Sequence, residues 1–354
     1  MRKITTAGLF IQFAAAVIMY LFIRETTGRS ELSEWKQGMI QAAGLSAFWM
    51  TGADSLARAV REEGSYPEDQ QYGGLIGPEF SEIVTTLGNP EAKITSLNPW
   101  FAALIYRYLR ESRIDSNSIV AVQASGSFPA LTISSLAALK TINAKVHLMS
   151  SIGASMYGAA DTTLAWLEIE KHLIEHYSMP YRSETVTAGG DDENGGGLPL
   201  TDPEIFRRIA IRAGYKLYIP VDLEEVINYK YNKLIKAKTL IVINIGGSHS
   251  MLGNCSHVLK VKPGLNEKLP FCNHKEQGLM FRLNNAGIPV IHLLNIRDLA
   301  ASYGFEIAPA RFDKAPANLF FETTPSLYAI LISLILLPAV IIITKKYCRS
   351  RSVR

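Results

Sequence analysis

Apolar and polar residues follow three regimes along this chain. From Ile4 to Ile23 the polar side chains are Thr5, Thr6 and Gln12, and from Ser326 to Thr344 only Ser333 and flanking hydroxyls interrupt an apolar run. At ~1.5 Å per residue each run crosses a ~30 Å hydrocarbon core with modest tilt, so a membrane-spanning helix is predicted at each end. Pro338 kinks the second without abolishing it. Between them, residues 24–325 carry an ordinary globular pattern.

Within that middle, Leu32, Trp35, Met39, Ile40, Ala43 and Ala47 recur at three- and four-residue steps, predicting a helix over 31–64 that Gly64 stops. Tyr72 to Pro78 holds too many breakers for a helix, and Pro99 opens one striped by Trp100, Leu104, Tyr108 and Leu109. From residue 118 short apolar runs alternate with amphipathic segments. Strands are predicted at 118–124, 144–150, 184–188, 217–221, 239–245 and 289–295. Helices are predicted at 129–141, 162–177, 223–236, 277–286 and 298–303, with another opened by Thr201-Asp202-Pro203-Glu204 and closed by Gly214. Strands separated by helices of this length are the signature of βαβ units. The expected fold is α/β, a mainly parallel sheet with flanking helices, Rossmann-like and doubly wound. The glycine-rich acidic stretch Gly189 to Gly197 reads as a flexible loop.

Charge adds a topology. Arg2 and Lys3 precede the first apolar run, while Lys345, Lys346, Arg349, Arg351 and Arg354 follow the second with no acid among them. The positive-inside bias puts both tails in the cytoplasm, so the middle lies on the other side of the bilayer. The expectation is a two-pass protein of the cytoplasmic (inner) membrane with an extracytoplasmic domain. Arg24 to Arg29 lacks a small-x-small cleavage site, so the first run is read as a retained anchor. The implied division is 1–23, tail and first span; 24–71, a helical juxtamembrane segment; 72–310, the α/β domain; 311–325, a linker; 326–344, the second span; and 345–354, a basic tail. Those seven tail residues account for more than the formal charge of +4, leaving the middle at about −3. A mildly acidic domain argues against nucleic acid as a partner. Of three cysteines, Cys255 and Cys272 lie in the middle and can pair in an oxidising compartment, two buried thiols being the other reading.

Candidate chemistry gathers at two strand ends. Val122 to Pro129 runs a strand into the turn Ser125-Gly126-Ser127, with Pro129 in the first turn of the next helix. In open α/β sheets ligands collect at the carboxyl ends of strands, and a helix start there suits a phosphate or carboxylate. Ser125 and Ser127 read as helix caps, as anion ligands or, with His249 as base, as catalytic nucleophiles. The segment does not match G-x-S-x-G. The second turn, Gly246-Gly247-Ser248-His249, allows backbone to approach a ligand closely but matches neither a Walker A nor a dinucleotide fingerprint. His292, inside an apolar run, reads as a core histidine. Nothing in the chain asks for a cofactor or a metal.

Ser125-Gly126-Ser127-Phe128-Pro129-Ala130-Leu131 resembles the bacterial poly-gamma-glutamate system protein family. So do Gly77-Pro78-Glu79, Thr95 to Pro99, Ser151-Ile152-Gly153-Ala154-Ser155, Asn244 to Ser248 and Gly287 to Asn295, in that order between residues 72 and 304. The resemblance implies a membrane accessory protein of poly-γ-glutamate synthesis or export. Its partners would be the polymer or its γ-glutamyl units, the membrane components of the synthase and export machinery, and the lipid bilayer. It supplies no catalytic residues. An extracytoplasmic serine hydrolase or transferase acting on the polymer, and a cytoplasmic-facing nucleotide- or phosphate-binding domain, are the alternatives.

Overall fold

A computed structural model describes residues 6–61, 74–197, 203–312, 314–316, 318–324 and 326–350. Gly64, Tyr72 and Gly73, and the Thr201-Asp202 helix opening lie outside the described residues. The chain divides into two compact units, Glu34–Leu319 and the two termini, Met1–Ser33 with Phe320–Arg354.

In the terminal unit a helix at Thr6–Glu25 leads into a strand at Gly28–Glu31, which pairs antiparallel with Phe321–Thr324 ahead of a helix at Leu327–Ser350. Both helices are long and apolar enough to cross a membrane. They pack together, Gln12 Nε2 donating to Thr344 Oγ1 at 2.7 Å. Residues 321–324, expected as linker, are thus half of a two-stranded ribbon, and 28–31, inside the expected 24–71 helical juxtamembrane segment and overlapping the predicted 31–64 helix only at Glu31, are the other half.

The larger unit is α/β around a mixed six-stranded sheet. Its strands are β1 (Ile119–Ser125), β2 (Lys145–Ser151), β3 (Thr185–Thr187), β4 (Ile241–Ile245), β5 (Gly264–Asn266) and β6 (Val290–Leu293), in spatial order β5-β6-β4-β1-β2-β3. Neighbours from β6 to β3 pair parallel, while β5 runs antiparallel at the edge. The expected mainly parallel sheet is therefore met in part. β4 is buried along its whole length, and β1 from its second residue on, as strands covered on both faces must be.

The helices are α1 (Ser33–Val60), α2 (Pro90–Ser96), α3 (Phe101–Glu111), α4 (Pro129–Ile142), α5 (Trp166–Tyr177), α6 (Pro203–Ala213), α7 (Leu223–Lys236), α8 (His249–Leu252), α9 (Leu279–Asn285) and α10 (Ile296–Tyr303). Ala121, Met149, Val242 and Val290 project from the sheet into one apolar cluster with Ile227 and Leu234 of α7 and Leu279 to Leu283 of α9. Because side chains alternate along a strand, Val120, Val122, Ile241 and Ile243 turn to the opposite face, where α4 packs on β1 and β4. α4 starts with Pro129 in its first turn and ends on Asn143 in the left-handed conformation. Asp222 caps α7, accepting from Glu225 N at 2.8 Å.

Cys255 and Cys272 form a disulfide, with Cα atoms 6.1 Å apart, inside the α7–α9 cluster. The expected strand at 217–221 does not form. Leu217 makes a single bridge to Val186, Tyr218 stacks on Tyr229 of α7 at 4.8 Å, and Val221 is exposed as the chain turns toward its Asp222 cap.

Candidate functional site

Strand order reverses beside β1: β2 and β3 lie on one side of it, β4 and β6 on the other. Loops leaving the carboxyl ends of strands on either side of such a point must diverge, which opens a crevice. Here the crevice is a 570 Å³ cleft whose walls include Ser125, Ser151, Gly247 and Leu294, from the ends of β1, β2, β4 and β6. That volume is in the range of small-ligand sites. Every residue singled out at the two glycine turns, except Gly126 and Gly246, lines it.

The turn groups themselves are largely engaged with protein. Ser125 Oγ donates to Ile245 O at 3.1 Å, Gly126 N donates to Ser151 O at 3.0 Å, and Ser127 Oγ accepts from Ser155 N at 3.0 Å. A side chain on Gly126 would meet Ile152 O at 2.4 Å, so this glycine admits neighbouring backbone. Neither serine caps α4; the residue at the cap is Phe128, and it makes no side-chain capping bond. By contrast a Cβ on Gly247 would find only Leu252 Cδ1, at 3.6 Å, so the second turn leaves room on its cleft side.

His249 also lines the cleft, but its ring is fixed from both sides. Nδ1 accepts from Asp192 N at 3.0 Å, which leaves the hydrogen on Nε2, donated to Asn254 Oδ1 at 3.0 Å. A ring so engaged has no nitrogen left for Ser125 or Ser127.

Sequence reasoning missed one group of the cleft wall, Lys93. It comes from the last turn of α2 and is 2 % exposed. Its Nζ donates to Ser127 O and, at 2.6 Å, to Ser155 Oγ, and sits 3.8 Å from the centre of the Phe128 ring. No carboxylate forms an ion pair with it among the described residues. Burial therefore acts unopposed and pulls the amine well below the ordinary lysine value. Ser155 belongs to a two-residue strand, Ala154–Ser155, that pairs parallel with Val84–Thr86. The contact thus joins the chain after β2 to α2, across the turn after β1. A lysine in a seven-residue helix gives no periodicity to read, and a charged side chain reads as solvated by default.

A second missed group lies in the acidic stretch. Residues 189–197 are not a free loop: Glu193 is fully buried. Its carboxylate accepts from Thr187 Oγ1 at 2.5 Å, from Ser250 N at 3.1 Å and from Ser248 Oγ, and lies 3.6 Å from Lys230 Nζ. Burial alone would raise its pKa. The Lys230 charge and these hydrogen bonds outweigh it and hold the carboxyl down at about 2. Lys230 donates in turn to Ser250 Oγ at 2.8 Å. Ser248, expected to bind a ligand, therefore spends its hydroxyl on Glu193 while lining the cleft.

One rung below the cleft, Gln123, Asn244 and His292 lie side by side across β1, β4 and β6. Asn244 Nδ2 donates to His292 Nδ1 at 2.9 Å, and burial pushes the imidazole down to about 4, so it is a neutral core histidine as expected.

These features define a class: an α/β protein with a hydroxyl-lined cleft at the switch point of its sheet, carrying an apolar helix of membrane-crossing length at each end. No protein-family model, curated protein or solved structure matches the chain.

Proposed function

We propose that this chain is a two-pass membrane protein of poly-γ-glutamate synthesis or export that presents its α/β domain outside the cytoplasm and holds γ-glutamyl segments in the switch-point cleft. The observation that carries this reading is the cleft itself: serine hydroxyls, the start of α4 and Lys93 face a common space. A γ-glutamyl chain offers one carboxylate and one amide per unit, and those groups need hydrogen-bond donors and a partial positive charge. The N-terminus of a helix contributes ~0.3–1 kcal/mol to such an anion, up to ~2 when partly buried. Single contacts are weak, and successive units multiply them. The family resemblance suggests the polymer, and the strand order supports only a ligand cleft at this place.

The test is calorimetric titration of the full-length protein in detergent with a short γ-glutamate oligomer. Gly247→Phe places a ring in the cleft without the backbone clash that a substitution at Gly126 brings. Binding by wild type, lost in a folded Gly247→Phe variant, is the expected result; equal affinity in both would place the polymer elsewhere. Orientation is read at Cys348, the one cysteine outside the disulfide. A membrane-impermeant thiol reagent should leave it unlabelled in intact cells and reach it after permeabilisation.

A further inference from the structure

We propose that Ser155 and Lys93 are the nucleophile and general base of an amide hydrolase that cuts γ-glutamyl bonds in the cleft. This rests on the reading of the cleft as a γ-glutamyl site and adds the reaction performed there. A serine hydroxyl becomes a useful nucleophile only beside a group that takes its proton, and a lysine serves where it is held neutral. Both side chains line the cleft, and their polar atoms are 2.6 Å apart. Among the described residues Lys93 also has no acidic partner, and burial lowers its proton affinity.

The surrounding contacts fit both protonation states of the amine. As an ammonium, Lys93 donates to Ser127 O and Ser155 Oγ and turns its third hydrogen to the Phe128 ring. As a neutral amine it keeps the bond to Ser127 O, and its lone pair accepts the Ser155 hydroxyl hydrogen across the same 2.6 Å. Ser127 is a positioning residue: its carbonyl orients Lys93, and its hydroxyl accepts from Ser155 N at 3.0 Å. The start of α4 at Phe128 brings partial positive charge to the same wall, where negative charge develops on the substrate carbonyl oxygen.

The steps balance with water as the sole co-reactant. Ser155 Oγ attacks the amide carbon as its proton passes to Lys93 Nζ. The C–N bond then breaks, and Lys93 returns the proton to the departing amine, leaving an ester on Ser155. Water attacks the ester, giving its proton to Lys93; the C–O bond breaks, and Ser155 Oγ takes the proton back. One amide and one water become a carboxylic acid and an amine.

The experiment uses the full-length protein in detergent with two probes, an alkyl fluorophosphonate that phosphonylates activated serines and a γ-glutamate oligomer whose length is followed by mass spectrometry. Wild type should be labelled on Ser155 and should shorten the oligomer, with both rates rising with pH through an inflection below the ordinary lysine value. Ser155→Ala and Lys93→Met should each lose labelling and cleavage by at least 100-fold, while folded Ser155→Ala still binds the oligomer. Oligomer binding by wild type without labelling or cleavage at any pH overturns the dyad and leaves the binding reading intact. Labelling that survives in Ser155→Ala, or that is unchanged in folded Lys93→Met, overturns it as well. Lysine-dependent labelling of Ser155 in a protein that neither binds nor cuts the oligomer retains the dyad as a hydrolytic pair and removes the polymer as its substrate.

Discussion

Lys93 and Lys230 are buried to the same degree, 2 % and 1 % exposed, and bond to their neighbours in different ways. Lys230 has the Glu193 carboxylate 3.6 Å away and one serine hydroxyl. Lys93 has a carbonyl, a serine hydroxyl and an aromatic face. Burial lowers the proton affinity of both, but at Lys230 the Glu193 charge pushes back, and at Lys93 no such charge acts among the described residues. One site keeps a cation as a tie between α7 and the strand-end loops. The other, in a wall of the cleft, has its proton affinity lowered by burial. The same residue type does structural work in one place and is poised for chemistry in the other, and the difference is made by a single carboxylate.

The largest effect should come from breaking the Lys230 side. Glu193→Gln leaves a buried ammonium without its counter-ion, for which a loss of about 3–5 kcal/mol is expected. Denaturant midpoints of the full-length protein in detergent would measure it. The pH dependence has a definite sign. Glu193 is held at about 2 against an ordinary 4.5, so its contribution is present above 4.5 and disappears as pH falls toward 2. At roughly 1.4 kcal/mol per unit this is a sizeable part of the whole stability. Wild type should lose its advantage over Glu193→Gln across that window. An advantage that persists down to pH 2 would show that the carboxylate is not ionised in the fold.

Neither lysine was legible in the sequence, and the reason is physical. β1, β2, β4 and β6 could be read because a strand covered on both faces leaves a run of apolar residues, and that signal is local. The strand ends followed, and with them Ser125, Gly247 and Ser248 as cleft residues. What stayed hidden depends on partners far away in the chain. Glu193 sits among glycines and acids that read as solvent-exposed, yet Lys230 and Ser248 supply its environment from 37 and 55 residues further on. Lys93 and Ser155 are 62 residues apart and meet where Val84–Thr86, ahead of α2, pairs with Ala154–Ser155. The false strand at 217–221 fails for the same reason in reverse. Its apolar run is real, but only Leu217 bridges to the sheet, Tyr218 stacks on Tyr229 of α7, and Ile219 and Val221 are exposed.

A smaller effect separates the two glycine turns. Gly126 is pinned, with its N–H bonded to Ser151 O and its carbonyl accepting from Ala159 N at 2.7 Å, so a Cβ placed 2.4 Å from Ile152 O cannot be relieved by a side-chain shift. Gly126→Ala should cost about 1–3 kcal/mol, the usual penalty for overpacking. Gly247→Ala meets only an ordinary contact and should stay within about 0.5 kcal/mol. Equal midpoints for the two variants would mean that the turn after β1 has slack that its hydrogen bonds do not suggest.

A small change in stability is also expected where the proposed chemistry is greatest. Lys93→Met removes the cost of burying an amine and sets a thioether against the Phe128 ring, but it leaves Ser127 O without its donor. These oppose each other, and a net change within about 1 kcal/mol at pH 7 is expected, against roughly 3 or more for Lys230→Met, which strands Glu193. Raising the pH sharpens the contrast. A lysine whose folded pKa lies below 10.5 binds fewer protons in the fold than in the unfolded chain, so its contribution improves as pH climbs toward 10.5. Wild type should therefore gain on Lys93→Met between pH 7 and pH 10 in the same denaturation series. The corresponding gain over Lys230→Met should be smaller, because Glu193 already favours the charged form there. If wild type instead loses ground to Lys93→Met on raising the pH, Lys93 is held charged in the fold, and the distinction between the two lysines collapses.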